Sequence, residues 1–284
     1  MIVVTGATGQ LGRLVIDNLL ERVAPQRIVA AVRDPAKAAD LAARGVQVRQ
    51  ADYTQPASLG SAFAGASKLL LISSSAIGQR VAQHRAVIDA AVQAGVHLVA
   101  YTSLLHADTS RLGLALEHKE TESLLKASGL PHVLLRNGWY SENYTASVPA
   151  ALAHGALLGS AGTGRIASAA RADYAAAAAA VLTRDDQAGR IHELAGDASY
   201  TLGELAAEIA RQSGKAVVYK DLPQADYEAA LLGFGLPASV ASLLADSDAA
   251  AAQGGLFDDG RQLSALIGRP TTPMADSVAA ALKR

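Results

Sequence analysis

The sequence predicts an α/β fold built on a doubly wound parallel sheet, and three observations carry that prediction. Apolar runs of strand length alternate with helix-length amphipathic segments through the first half of the chain. The connections between them are short and punctuated by glycine or proline, at Gly45, Gly65, Gly95 and Gly129-Leu130-Pro131. The opening strand, Ile2-Val3-Val4, runs directly into Thr5-Gly6-Ala7-Thr8-Gly9-Gln10-Leu11-Gly12. A helical apolar pattern at Leu14, Val15, Leu19 and Leu20 follows at once.

Taken in order, the alternation places strands over 2–5, 27–32, 46–51, 68–73, 97–103 and 132–137. Helices are expected over 10–22, 35–44, 58–64, 78–94 and 116–128. After Asn137 the pattern is less regular. A glycine-rich stretch over 155–164 leads into Arg171-Ala172-Asp173-Tyr174, where Asp173 is expected to cap the start of an alanine helix. The run 175–180 reads as a small-residue helix and nothing more. A strand is expected over 190–194, and Thr201 with Glu204 three residues later fits a capping box opening the next helix. A further strand over 216–219, helices over 223–244 and a mixed tail over 254–284 complete the chain. The expected organisation is therefore a nucleotide-binding domain over 1–150 and a smaller C-terminal α/β substrate lobe over 151–284, interleaved with the first.

Bulk composition narrows the function classes. At 284 residues the chain is long enough for a sizeable core. Its net charge of −1 gives no reason to expect a nucleic acid or an anionic membrane surface as partner. It has no cysteine, which removes disulfides, thiolate metal sites and thiol nucleophiles together and suits a cytoplasmic location. Apolar stretches are strand-sized and no basic segment precedes an apolar one at the N-terminus, so neither a membrane span nor a leader is expected.

The glycines at 6, 9 and 12 carry the chemistry. Gly6 permits a sharp turn, Gly9 lets the backbone approach a pyrophosphate, and Gly12 seats the helix close to the sheet. Backbone N–H groups at the helix start then face the phosphates, whose charge the helix dipole favours. This Gly-x-x-Gly-x-x-Gly spacing resembles that of short-chain dehydrogenase/reductases. Because parallel strands deliver their C-terminal ends to one edge, Thr5, Arg33, Asp52, Ser73, Thr102 and Asn137 are expected to gather there. The second strand ends in Arg33 rather than an acid, which points to the 2′-phosphate of NADP rather than the ribose hydroxyl of NAD. Arg33 could instead pair with a surface carboxylate. Asp52 could meet an adenine amino group or serve only as a polar strand end.

The usual proton donor of these reductases, a Tyr four residues before a Lys on a helix, is missing. Lys119 is present, but position 115 is alanine. Ser103 reads as a structural hydroxyl and Lys119 as one of an exposed, charged helix face. His106 and His118 read as surface or capping histidines rather than proton relays.

Several segments together resemble the NmrA-like atypical short-chain dehydrogenase/reductases, and within them the bacterial NADPH:quinone oxidoreductases of type 2. They are Thr5 to Gly12, Arg33-Asp34-Pro35-Ala36-Lys37, Ile72-Ser73-Ser74-Ser75, Tyr101 to Asp108, Leu135 to Tyr144, Arg171 to Tyr174 and Gly254 to Asp259. The Asn137-Gly138-Trp139-Tyr140-Ser141-Glu142-Asn143 segment is the most specific of them. The resemblance implies a Rossmann sheet and two-electron reduction of a small-molecule quinone by NADPH. Gly6, Ala7, Thr8, Gly9, Gln10, Leu11, Arg33, Ile72, Ser73, Ser74 and Ser75 would hold the cofactor, with Asn137, Gly138, Trp139, Tyr140, Ser141 and Glu142. Missing the catalytic tyrosine is itself usual for that branch.

The chemistry is consistent with this. A quinone spreads incoming charge toward a phenolate, so no strongly tuned acid is required and no side chain is assigned as catalytic. Tyr101, Tyr140 and Asn143 are the candidate hydrogen-bond donors to substrate, with Leu105 and Tyr144 lining it beside Trp139. The aromatic cluster 139–144 could equally be a packing cluster. No metal is expected, and a homodimer is expected by analogy. The competing reading is an NADP(H)-sensing regulatory binding protein without turnover; a sugar reductase or epimerase is disfavoured by the missing tyrosine.

Overall fold

The computed structural model describes residues 1–283 as two compact units, each gathered from separate stretches of sequence. The first comprises Met1–Ala107, Leu116–Asn137 and Arg171–His192; the second comprises Asp108–Ala115, Gly138–Ala170 and the described residues from Glu193 onward.

The first unit is organised by strands β1 (Ile2–Thr5), β2 (Ile28–Val32), β3 (Gln47–Gln50), β4 (Lys68–Leu71), β5 (Leu98–Leu104) and β6 (His132–Asn137). With β8 (Ile191–Leu194) they make a seven-stranded sheet in the order β3-β2-β1-β4-β5-β6-β8. The pairs β1–β2, β1–β4, β2–β3, β4–β5 and β5–β6 are all parallel. The order reverses between β1 and β4, which is the topological switch point where such sheets bind nucleotides. Every residue of β1, β2 and β5 is buried, as unbroken apolar runs require when helices cover both faces.

Helices α1 (Gln10–Leu20), α2 (Ala39–Ala43), α3 (Ala57–Phe63), α4 (Arg80–Gln93) and α5 (Ala115–Ala127) follow the strands in alternation. One core cluster joins Val3, Val29, Leu69, Leu71, Val99 and Tyr101 of the sheet to Leu59 and Phe63 of α3, Val87 and Ile88 of α4 and Leu125 of α5. The alanine helix α8 (Arg171–Thr183) packs against α1. Its run Ala175 to Ala180 is wholly buried, and side chains that short let two helix backbones come close.

In the second unit β7 (Ala156–Gly159) and β9 (Val218–Asp221) form a separate two-stranded parallel sheet. Around them lie α6 (Ser141–Thr145), α7 (Val148–His154), α9 (Leu202–Ser213), α10 (Gln224–Gly233), α11 (Ala238–Ala251), α12 (Gln262–Ile267) and α13 (Met274–Leu282). Thr201 and Glu204 form the capping box expected of them: Glu204 N–H donates to Thr201 Oγ1 at 3.1 Å and Thr201 N–H to Glu204 Oε2 at 2.7 Å. Gly159 is forced, because a Cβ there would lie 2.6 Å from Leu202 Cδ1 and 2.8 Å from Asp248 Oδ2.

Three local expectations differ from the structure. Asp173 does not cap α8. The helix already begins at Arg171, so Asp173 sits in its first turn, fully buried. The expected helix over 35–44 is broken into a 3₁₀ turn, Pro35–Ala38, and the short α2, since Asp34 closes the turn by accepting Ala36 N–H at 3.0 Å. The glycine-rich stretch over 155–164 contains β7, whose partner strand is some sixty residues away. Among the described residues no helix is long and apolar enough to cross a membrane, and no three metal-binding side chains gather.

Candidate nucleotide site

The turn after β1 has the geometry that its glycines dictate. Gly6 takes the left-handed conformation at φ +58°, and Gly9 N–H donates back to Gly6 O at 2.9 Å. At Gly12 a Cβ would lie 2.4 Å from Gly6 O and 2.7 Å from Ala7 Cα, both backbone atoms, so only glycine allows α1 this close to the turn. α1 starts at Gln10 with Gly9 as its N-cap, no side-chain cap and no acid in the first turn. Its first amides therefore have no side-chain acceptor competing for them, and they retain the dipole's preference for an anion.

Beside this turn, at the C-terminal edge of the sheet, opens a cavity of about 1050 Å³. Gly6, Thr8, Gly9, Arg33, Ile72, Ser73, Ser74 and Ser75 line it, which brings together eight of the residues expected to hold a cofactor. Ala7 and Leu11 are buried beneath the turn and Gln10 is exposed. Asn137 stands at the end of β6, where its Oδ1 is buried and, among the described residues, accepts no hydrogen bond. A buried amide oxygen in that condition calls for a donor, and a nicotinamide carboxamide would provide one.

The second-strand end is cationic. Arg33, Lys37 and Arg13 all line the cavity. No carboxylate among the described residues lies within ion-pair distance of Arg33, whereas Arg13 is paired with Asp40 and donates to Lys37 O at 2.8 Å. Asp34 is occupied by the turn it closes. Asp52 accepts Thr54 N–H at 2.9 Å and Thr54 Oγ at 2.8 Å, and these bonds hold its carboxyl below the ordinary carboxylate range.

Two strand-end hydroxyls expected at this edge tie the sheet together instead of facing outward. Thr5 Oγ1 donates to Leu70 O at 2.9 Å, accepts Ile72 N–H at 3.1 Å and accepts from the Tyr53 hydroxyl. Tyr53 also reaches Ile72 O at 3.0 Å, and burial pushes its phenol pKa up. Thr102 Oγ1 accepts Ser73 N–H at 2.8 Å.

The residues expected at a substrate divide by burial. Tyr101 is fully buried, its hydroxyl 2.7 Å from His118 Nδ1, and Leu105 is 1% exposed. Neither presents surface to a ligand in this conformation. His118 is buried rather than superficial, and desolvation lowers its pKa to about 3, which favours the neutral ring. Ser103 is structural as expected: Ser103 Oγ donates to Glu122 Oε1 at 2.6 Å, and Arg136 holds the same carboxylate at 2.8 Å. Ala115 is buried and Lys119 exposed.

In the second unit the segment from Gly138 to Tyr144 enters α6. Gly138 N–H donates to Leu194 O at 2.7 Å and Ser141 N–H to Ala169 O at 2.9 Å, while Ser141 Oγ lies 2.9 Å from Ser168 Oγ. Trp139 and Tyr144 are both buried with ring centroids 6.5 Å apart, and Tyr144 donates to Asp248 Oδ1 at 2.9 Å. Tyr140, Glu142 and Asn143 remain partly exposed.

Sequence reasoning missed Arg13, Lys37, Tyr53, Thr54 and Gln83 of the cavity lining. Tyr53 and Thr54 directly follow Asp52, so the strand-end rule that selected Asp52 could have included them. Gln83 carries no such signal.

Comparison with known proteins follows this geometry closely. The NAD(P)H-binding family matches residues 6–185. Quinone oxidoreductase 2 of Escherichia coli strain K12 is 61% identical over 278 residues, spanning 98% of this chain and 97% of that protein. The crystal structure of an NADPH-dependent quinone oxidoreductase from Escherichia coli complexed with NADPH superimposes with a TM-score of 0.97 at 60% identity, covering 99% of this chain and 100% of that one. The Citrobacter sp. triphenylmethane reductase complexed with NADP(H) superimposes with a TM-score of 0.95 at 38% identity, covering 99% and 100%. Sequence and fold are thus shared along nearly the whole chain with such reductases, and the protein belongs to the NAD(P)H-binding, NmrA-like family.

Proposed function

We propose that this protein is an NADPH:quinone oxidoreductase. The observation that carries the cofactor half is Arg33, which stands on the cavity wall with no carboxylate of the described residues within ion-pair distance, where NAD-selective chains place an acid. The acceptor half is supported by the full-length relative named as a quinone oxidoreductase and by the chemistry of a site with alanine in place of the usual tyrosine.

When bound, NADPH supplies a hydride, so that quinone, NADPH and one proton become hydroquinone and NADP⁺. The chain's own residues bind and orient. The glycine turn and the first amides of α1 would hold the pyrophosphate, Arg33 with Lys37 would hold the 2′-phosphate, and Asn137 would serve the nicotinamide end. Ile72 to Ser75 form a wall, and Gly138, Trp139, Tyr140, Ser141 and Glu142 are the further residues that the resemblance assigns to the cofactor. Asn143 and Tyr140 are the donors to the quinone oxygen, and neither has to be an acid, because the developing phenolate is delocalised and solvent can protonate it later. Tyr101, Leu105 and Tyr144 are buried and contribute by packing, Tyr101 through its bond to His118 and Tyr144 through its bond to Asp248.

In this reading nucleotide binding and the substrate donors Tyr140 and Asn143 belong to the N-terminal region over 1–150, the region over 151–284 is the smaller substrate-side lobe, and the protein is a cytoplasmic homodimer with no nucleic-acid or membrane partner. Light scattering in solution tests the dimer. The decisive assay follows NADPH oxidation with and without a simple benzoquinone. A rate well above the uncatalysed one is expected; tight NADPH binding without any acceleration would overturn the enzyme reading in favour of a nucleotide sensor.

A further inference from the structure

Of the three serines after β4, Ser74 is committed to the protein itself. Its N–H donates to His84 Nε2 at 2.9 Å, its carbonyl accepts from Arg80 Nε at 2.7 Å, and its hydroxyl donates to Gln83 Oε1 while accepting Ala76 N–H at 3.1 Å. Arg80 and His84 are one helical turn apart on α4 and both are buried, at 5% and 0% exposure. A loop that could have left its amides to solvent is instead clamped at both backbone polar groups by side chains drawn from the core.

The bonds behind the clamp run in one direction. Because His84 Nε2 accepts, the ring proton sits on Nδ1 and donates to Thr121 Oγ1 at 2.9 Å; Thr121 Oγ1 in turn donates to Glu117 O at 2.8 Å. Glu117 closes the same loop from α5, accepting Gly78 N–H at 3.0 Å on Oε1 and pairing with Arg80 at 3.0 Å on Oε2. One buried imidazole in one tautomer therefore holds the Ser74 amide, beside Arg80 on the Ser74 carbonyl and Thr102 on the Ser73 amide, although it does not itself line the cavity.

We propose that His84 is a positioning residue for NADPH binding, holding the Ser73 to Ser75 wall of the nucleotide cavity through the Ser74 amide, with Thr121 fixing the tautomer that makes this possible. The proposal rests on reading that cavity as the NADPH site.

The test compares NADPH dissociation constants, measured by calorimetry, for the wild type and for His84→Phe, His84→Gln, Thr121→Val and Arg33→Ala, together with hydrogen exchange at the Ser74 amide. Phenylalanine keeps the ring volume and removes the acceptor, so the dissociation constant is expected to rise by about tenfold and the Ser74 amide to exchange faster. Glutamine sets an acceptor oxygen near the position of Nε2 and is expected to restore both within about threefold of the wild type. Thr121→Val keeps the packing and frees the tautomer, and a rise of about threefold or more is expected. Should His84→Phe fail to fold, the contrast between Thr121→Val and His84→Gln decides: weakened binding in the first with near-normal binding in the second supports the clamp, and any other pattern overturns it. Lower thermal stability with unchanged NADPH affinity in His84→Phe or Thr121→Val would likewise reduce His84 to packing. Arg33→Ala separates the two claims: if it weakens NADPH binding and the clamp variants do not, the clamp alone fails, whereas no effect from any of them overturns the cavity reading itself.

Discussion

His84 in the first unit and Asp248 in the second are both buried titratable groups, and burial acts on them in opposite senses. Desolvation makes the neutral form cheaper in each case, so the pKa of the base falls, to about 3, while that of the acid rises, to about 6. His84 is held by a one-way chain of hydrogen bonds that only the neutral imidazole can make. Asp248 accepts Tyr144 Oη–H at 2.9 Å and Ser160 N–H at 3.0 Å, bonds that favour the charged form and limit the rise caused by its burial. Acid therefore works against the contribution of His84, and base against that of Asp248.

The largest expected contrast between the units comes from their crowded glycines. Gly12→Ala would drive a Cβ into Gly6 and Ala7 backbone, so NADPH affinity should fall by at least about tenfold, with a stability loss of about 1–3 kcal/mol. Gly159→Ala meets the side chains of Leu202 and Asp248. Its thermal midpoint should drop while the NADPH dissociation constant stays within about threefold. Equal effects of the two substitutions on nucleotide affinity would erase the division of labour proposed here.

Next comes cofactor choice. Arg33→Ala is expected to weaken NADPH binding by about tenfold to a hundredfold, in line with about 1.5–3 kcal/mol for a charge-assisted bond, and to leave NADH binding little changed. Equal losses for the two nucleotides would show that Arg33 does not read the 2′-phosphate.

The pH dependence sharpens the comparison itself. His84 and His118 have folded pKa values near 3 against an ordinary 6.5, so their contribution to stability is present above about pH 6.5 and is lost as pH falls toward 3. Asp248 has a folded value near 6 against an ordinary 3.8, so its contribution is present below about pH 4 and lost as pH rises through 6, on the order of 3 kcal/mol. In denaturation series between pH 4 and 6, His84→Gln should flatten the loss on acidification. Asp248→Asn, whose amide can still serve Ser160 and Tyr144, should remove the opposing term and make the acid-side loss steeper. Slopes that shift in the same direction would mean that one of the two burials has been misread.

The smallest effect is expected at Lys119. Exposed and with alanine four residues before it, it has no tyrosine to tune, and Lys119→Ala should leave quinone turnover within a few-fold, about 1 kcal/mol or less in barrier. A collapse in rate would restore it to the chemistry.

What could be read from the chain in advance was local. The glycine turn, the strand ends and the Thr201–Glu204 box depend on residues within a few positions of one another, where spacing alone constrains the backbone. Asp173 misled for the same reason: its type suits a cap, but α8 begins two residues earlier, at Arg171, and packs against α1. Tyr53 and Gln83 entered the cavity through contacts forty-eight and nine residues away in sequence, which no period of two or three and a half announces.

By itself, then, the sequence determined the alternating strands and helices, the nucleotide turn and a cationic second-strand end, because periodicity, glycine sterics and charge are properties of neighbouring residues. Only the tertiary structure decided that Thr5 and Thr102 bind strand ends together, that Tyr101 spends its hydroxyl on His118, and that His84 holds Ser74 in a single tautomer. Those outcomes depend on which polar groups are buried side by side. A buried donor must find whatever acceptor the fold brings within reach.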